Sequence, residues 1–265
     1  MNTTEKKMLV ILQNLRKTCN VVSVKAEFEA EGTRTEELLR LLEIARRADV
    51  KIALKIGGCE AVRDLIEAKQ FGVDYIIAPM VETPYALQKF IDAKNKVYNK
   101  EERADVDFLV NIETKTGFEH QQELAKVAST PDGIQGLVFG RIDYVGSKGM
   151  PRDSVDDAAV TADIIQVATS CKKHNLDLVV GGGVSINAAN SLAEMKKVHL
   201  TRFETRKIIF SSDALSSNAI QEGLLNAVHF ELLWLLNKRE FYSIITNEDD
   251  KRIEMLDARW KLLNK

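Results

Sequence analysis

Two short segments, Tyr75-Ile-Ile-Ala and Leu137-Val-Phe, decide the fold class, because each is apolar at every position. A strand with one solvent-facing side alternates apolar and polar residues, whereas a strand covered on both faces is apolar throughout. Strands of the second kind belong to parallel sheets that carry helices on both faces. The two segments therefore predict an α/β protein built around a parallel sheet.

Similar β-branched segments recur along the chain. Their first residues lie from 23 positions apart (Lys51 and Asp74) to 42 positions apart (Gly136 and Leu178), and amphipathic helical patterns fill the intervals. This alternation is βα repetition. The predicted strands are Val21 to Glu27, Lys51 to Ile56, Asp74 to Met80, Phe108 to Glu113, Gly136 to Ile142, Leu178 to Val180 and Lys207 to Phe210.

These strands number seven, and a closed (β/α)8 TIM barrel needs eight. The segment Leu9 to Leu12 is a candidate for the missing strand, although Lys6 to Lys17 also has a helical pattern. An open, doubly wound sheet is therefore the alternative to the barrel. No linker rich in Pro or Gly divides the chain, so we predict one domain over residues 1–265.

The pattern changes after Phe210. Two long helices are predicted, Asn218 to Asn237 and Glu248 to Leu263, and residues 214–265 are interpreted as packing or oligomerisation helices. The segment Val228 to Leu236 is apolar around too much of its circumference for an exposed helix. It packs either on its own barrel or on another subunit; for a homo-oligomer, Phe230 and Trp234 are the expected anchors.

Composition limits the partners and the compartment. The 265 residues include 37 basic and 39 acidic side chains, for a formal charge of -2, which argues against nucleic acid and acidic membranes as partners. The three cysteines show no CxxC spacing, so neither a disulfide framework nor a cysteine zinc site is supported. No apolar segment approaches the roughly 18 residues that span a bilayer. We expect a cytoplasmic protein.

Polar residues follow most of the predicted strands, where α/β enzymes place their chemistry. Glu113 and Asp143 follow adjacent strands, and two carboxylates at that spacing can share one divalent cation. Each can equally cap a helix or pair with a nearby Lys or Arg. The remaining candidates are Lys25, Glu27, Glu29, Lys55, Gly57, Gly58, Glu82, Asn111, Lys115, Arg141 and Gly181 to Gly183.

The Gly181-Gly-Gly segment lies between a predicted strand and a predicted helix. Backbone N–H groups at such a position can hold phosphate. The alternative, which we favour, is a tight turn with Ser185 or Asn187 as the N-cap of the helix.

Three motifs in order, Ile76-Ile-Ala-Pro-Met-Val-Glu-Thr, Leu109-Val-Asn-Ile-Glu-Thr-Lys-Thr-Gly and Gly136-Leu-Val-Phe-Gly-Arg-Ile-Asp-Tyr, carry a resemblance. They are similar to the strand motifs of the HpcH/HpaI aldolase and citrate lyase β-subunit family. The resemblance implies a (β/α)8 barrel in which one Mg²⁺ or Mn²⁺ ion supports an enolate. That enolate derives from a small 2-oxo acid or an acyl-CoA adduct, and the metal ligands carry over to Glu113 and Asp143.

The chain departs from the family at two positions. Lys55 stands where the family has its enolate-binding arginine; it keeps the positive charge but loses the paired donors with which an arginine binds a carboxylate. Three roles are open for Lys55: a positive charge, an amine that forms a Schiff base, or a structural ion pair with Glu27 or Glu113. The proton-transfer motif reads Lys25-Ala-Glu-Phe, which leaves Glu27, Glu29 or Glu60 as the candidate base. The predicted catalytic residues are Lys55, Glu27, Glu60 and Arg206, and the predicted substrate contacts are Lys25, Lys55, Gly57 and Arg141.

Two classes of function follow. The first is a metal-dependent carbon–carbon lyase of the class II aldolase or citrate lyase type. The second is a catalytically altered barrel that binds an acidic metabolite or partner without cleaving it. Glu113 and Asp143 favour the lyase, whereas Lys55 and Phe28 motivate the alternative.

Overall fold

The computed structural model describes residues 1–263, which form a closed eight-stranded barrel with strands in chain order. This confirms the predicted barrel and excludes the open sheet. The strands are β1 (Val21–Glu27), β2 (Lys51–Lys55), β3 (Tyr75–Ala78), β4 (Asp107–Ile112), β5 (Gly136–Gly140), β6 (Asp177–Gly181), β7 (Arg202–Glu204) and β8 (Ile208–Ser211).

Helices pack around the barrel and alternate with most of its strands. They are α1 (Thr3–Cys19), α2 (Thr35–Ala48), α3 (Val62–Phe71), α4 (Pro84–Val97), α5 (Lys115–Glu119), α6 (Gln121–Ala128), α7 (Arg141–Ser147), α8 (Ala158–His174), α9 (Ala189–Val198) and α10 (Ile220–Leu263). Short 3₁₀ turns join several of them.

The strand that was missing from the seven predicted ones is β7. Leu9 to Leu12 is not a strand and lies inside α1. A capping box between Asn2 and Glu5 starts α1, and Met8, Leu12 and Leu15 bury one face of it. The helical interpretation of this segment was therefore correct.

The barrel differs from eight identical βα units at its closure. β8 runs antiparallel to both β7 and β1, whereas the other neighbouring strands are parallel. Parallel strands need a crossover of roughly a dozen residues or more, and only residues 205–207 separate β7 from β8. The short connection permits a hairpin only.

The register of the strands places polar side chains above an apolar barrel interior. Ala53, Tyr75, Ile77, Leu109 and Val138 belong to the inner cluster. The pairing of Glu27 with Lys55 continues this inward face towards the carboxyl ends of the strands, because alternate residues share one side of a strand. Charged residues therefore lie at the barrel mouth, directly above an apolar core.

The two predicted C-terminal helices form one continuous helix, α10. Residues 238–247, which were expected to separate them, contain neither Pro nor Gly, and nothing in them stops a helix. Phe230 and Trp234 are buried against their own barrel rather than offered to a partner, whereas residues 244–262 are exposed. Among residues 1–263, no helix is both long and apolar enough to cross a membrane.

Candidate active site

The candidate site is the barrel mouth, which is formed by the carboxyl ends of the parallel strands β1 to β7. Lys25 in β1 is buried, and its Nζ is 2.6 Å from Glu204 Oε1 and 3.1 Å from Glu27 Oε1. Burial alone would lower the pKa of Lys25, but the charges of Glu204 and Glu27 outweigh it and the pKa is raised. Burial would likewise raise the pKa of Glu27, yet Lys25 holds it below its ordinary value.

Lys55, the last residue of β2, forms a second ion cluster. Its Nζ lies 3.4 Å from Glu113 Oε2 and 3.2 Å from Glu29 Oε2. Burial acts to lower the pKa of Lys55, and the carboxylates of Glu113 and Glu29 reverse the shift, so its pKa is raised. Of the two partners predicted for Lys55, Glu113 is observed; Glu27 instead pairs with Lys25.

Glu113 follows β4 and is fixed at both oxygens. Oε1 accepts a hydrogen bond of 2.9 Å from the Met80 N–H, and Oε2 accepts one of 2.5 Å from Asn111 Nδ2. Met80 adopts φ +52°, a left-handed conformation that a non-glycine residue rarely takes. Gly140 lies against the carboxylate, since a Cβ there would come within 2.8 Å of Oε2. The two hydrogen bonds and the close approach of Gly140 hold the Glu113 carboxylate in place.

The residues at this end of β4 and β5 suit a hard cation. β4 and β5 are neighbours, as predicted, and Asp143 is exposed in the first turn of α7, directly after β5. The Asn111 Oδ1 atom is buried beside Glu113 and accepts no hydrogen bond from any of the residues 1–263. Carboxylate and amide oxygens are the ligands that Mg²⁺ and Mn²⁺ prefer. Within residues 1–263, no three His, Cys, Asp or Glu side chains converge, so a cation would also take water or substrate oxygens.

Arg141 is buried and forms hydrogen bonds with two loops at the barrel mouth. Its Nε donates to the carbonyl oxygen of Gly182 at 2.9 Å, and its Nη1 donates to Asp156 at 2.6 Å. The side chain is fully buried, and its Nη2 has no hydrogen-bond partner within residues 1–263, so the substrate contact predicted from the sequence stays a prediction. In this arrangement Arg141 joins the loops after β5 and β6.

Three other predicted residues lie at the rim of the mouth. Gly57 forms a turn in which its N–H donates to Asp64 at 2.7 Å. Glu60 is exposed and pairs with Lys89 at 2.8 Å, and Arg206, in the β7–β8 hairpin, pairs with Glu31 at 3.0 Å. The structure does not bring these residues into the two lysine clusters.

The glycine segment after β6 is a tight turn, as we favoured. Gly182 and Gly183 adopt φ +82° and +67°. The Ser185 side chain accepts a hydrogen bond of 3.3 Å from the Asn187 N–H, which makes Ser185 the N-cap of the following 3₁₀ turn.

Sequence reasoning missed Glu204 and gave Glu29 only the role of a candidate base. Glu204 lies in β7, a strand of three residues that is too short to show a period. The sequence did contain a signal for Glu29, because glutamates occupy every second position from Glu27 to Glu31. Each meets a different lysine, Lys25, Lys55 and Lys207 respectively.

The fold is a closed barrel of alternating strands and helices, and its mouth carries two clusters of lysine and carboxylate side chains. The HpcH/HpaI aldolase/citrate lyase family model matches residues 33–199, more than half of the chain, and the chain belongs to this family. Family members are lyases and synthases that act on carbon–carbon bonds. No match is found among curated proteins.

Solved structures share the fold at low sequence identity. An HpcH/HpaI aldolase/citrate lyase family protein from Burkholderia cenocepacia J2315 is 14% identical with a TM-score of 0.60, over 91% of this chain and 90% of that one. An HpcH/HpaI aldolase from Desulfitobacterium hafniense DCB-2 is 11% identical with a TM-score of 0.59, over 74% and 82%. Macrophomate synthase is 15% identical with a TM-score of 0.56, over 90% and 82%.

Proposed function

We propose that the protein is a divalent-metal-dependent carbon–carbon lyase, of the class II aldolase or citrate lyase type. Its substrate is a small 2-oxo acid or an acyl-CoA adduct, and cleavage passes through an enolate. The observation that carries the proposal is Glu113, which directly follows β4 and contacts Met80, Asn111 and Lys55, while Asp143 follows the neighbouring strand β5. The three cysteines are free, which suits the cytoplasmic location we propose.

The proposed reaction needs a cation, a base and a pocket for negative charge. Glu113 and Asp143 would hold Mg²⁺ or Mn²⁺, which supplies Lewis-acid stabilisation of the developing enolate oxygen. Glu27 is ionised beside Lys25 and can take the proton from the hydroxyl of the adduct. The carbon–carbon bond then breaks, and its electron pair moves onto the carbon beside the carbonyl. Glu60 and Arg206 could assist only from the rim, where their side chains lie.

Lys55 acts as a positive charge in this proposal rather than as a Schiff base. Two carboxylates flank its ammonium group, and a protonated amine is not a nucleophile. Its charge remains available to the carboxylate or enolate of the substrate, although without the paired hydrogen bonds of an arginine.

The test is exchange of the methyl protons of pyruvate for deuterium, followed by NMR. We expect exchange with Mg²⁺ or Mn²⁺, its loss with EDTA and its return when metal is added. Borohydride treatment with pyruvate should leave the intact mass unchanged, and a reduced adduct on Lys55 would show imine chemistry instead. Oxalate binding without exchange would favour the alternative, a barrel that binds an acid without cleaving it, to which the Lys55 and Phe28 departures point.

We further propose a homo-oligomer formed by the free half of α10. Ile253, Leu256 and Trp260 are 61%, 49% and 66% exposed, and their spacing of three and four residues places them on one stripe. A second copy of the same stripe would cover it symmetrically.

Light scattering of the full chain should report a multiple of 29.7 kDa. Trp260→Glu should lower the mass towards the monomer by placing a charge in the stripe. Lys251→Glu, on the opposite side of the helix, should not. A monomeric full-length protein would show that the stripe has no partner copy.

A further inference from the structure

We propose that Glu29 competes internally for Lys55, so that an acidic substrate binds by replacing the Glu29 carboxylate on the Lys55 ammonium. The inference rests on the proposed function and assigns Glu29 a role in substrate selection. A ligand that lacks an anionic group cannot make this exchange, so Glu29 favours carboxylates over neutral carbonyl compounds at the mouth.

The two partners of Lys55 are not equivalent. The Glu113 side chain is 1% exposed and its oxygens are held by Met80 and Asn111. The Glu29 side chain is 27% exposed as a whole. Its Oε2 atom is buried 3.2 Å from Lys55 Nζ and, within residues 1–263, forms no hydrogen bond that would hold it there. Glu29 is therefore the partner that an incoming anion can displace.

The backbone around Glu29 is tethered, which confines the exchange to the side chain. On one side the Phe28 N–H donates to the Lys55 carbonyl oxygen at 2.8 Å. On the other side Glu31 pairs with Lys207 and Arg206. A rotation of the Glu29 side chain towards solvent vacates one side of the Lys55 ammonium, which stays paired with Glu113, and does not require the loop to move.

A group that replaces the Glu29 carboxylate next to the Lys55 ammonium must also carry a negative charge. Lys55 is 8% exposed, and a buried ammonium that loses one anionic partner keeps a poorly compensated charge. A substrate carboxylate restores the compensation. The exchange is thus favourable for acids.

Calorimetry with oxalate in the presence of Mg²⁺ tests the inference on the full-length protein. Glu29→Gln should bind oxalate about three- to tenfold more tightly than the wild type, the scale of a partly exposed ion pair. Asp153→Asn is the matched control, since it removes one charge from an exposed side chain in the short 3₁₀ turn after α7. Its oxalate affinity should stay within about twofold of the wild type.

The outcomes separate the two hypotheses. If Glu29→Gln binds oxalate no more tightly than the wild type while Lys55→Met abolishes binding, the competition is refuted and the proposed function stands. Equal tightening in Asp153→Asn would also refute it, because a general charge effect would then explain the result. If neither the wild type nor Glu29→Gln binds oxalate, the proposed function fails and the inference fails with it.

Discussion

Glu113→Gln is expected to lower metal-dependent exchange of pyruvate protons by at least about 100-fold, the scale on which a group that stabilises transition-state charge contributes. The substitution removes the anionic oxygen proposed to hold the cation. It also leaves one carbonyl oxygen where two oxygens accepted hydrogen bonds. One orientation of the Gln amide therefore directs its NH₂ at the Met80 N–H, and the other directs it at Asn111 and Lys55.

The same substitution should lower the free energy of unfolding by about 1–3 kcal/mol, the cost of unsatisfied buried donors. Glu29 still pairs with Lys55, which keeps the loss below that of a fully orphaned buried charge. Calorimetry with Mn²⁺, the exchange assay and urea unfolding measure the three effects. Asp153→Asn, at an exposed position, is the control and should change none of them by more than a small factor. An unchanged Mn²⁺ affinity in Glu113→Gln would refute the metal assignment.

The sequence predicted the barrel well because parallel strands buried on both faces carry a strong local signal. Seven strands were located, several within a residue of their observed ends. β7 was missed because Arg202, Phe203 and Glu204 form too short a segment to show a period, and its place in the barrel depends on long-range pairing with β6. The continuity of α10 was missed for a related reason, since residues 238–247 look polar without containing a residue that ends a helix.

The candidate site was predictable residue by residue but not as a set of pairs. Strand ends identified Lys25, Lys55 and Glu113, because polar residues there interrupt apolar segments. Partner choice depends on register and on loop paths that the sequence does not encode locally. Lys25 meets Glu204 from β7, which only β8 separates from β1 in the barrel but which lies far away in the sequence. Arg141 hydrogen-bonds to Gly182 and Asp156.

Gly182→Ala is expected to be among the most destabilising single substitutions near the site, for two independent reasons. Gly182 adopts φ +82°, which costs an L-residue about 1–2 kcal/mol. A Cβ there would also lie 2.8 Å from the Ile142 nitrogen and 2.9 Å from the Arg141 nitrogen. Both are backbone atoms of α7, so the helix or the loop must shift, which adds about 1–3 kcal/mol of overpacking.

Gly149→Ala separates the two contributions, because Gly149 adopts φ +69° with no atom within 4 Å of an added Cβ. Urea unfolding should show a loss of about 1–2 kcal/mol for Gly149→Ala and about 2–5 kcal/mol for Gly182→Ala. Since α7 carries Asp143, the shift in Gly182→Ala should also weaken Mn²⁺ binding, whereas Gly149→Ala should leave it unchanged. Equal losses of stability in the two variants would show that the loop after β6 shifts to accommodate the added Cβ without extra cost. In that case the close packing of Gly182 on α7 does not position Asp143.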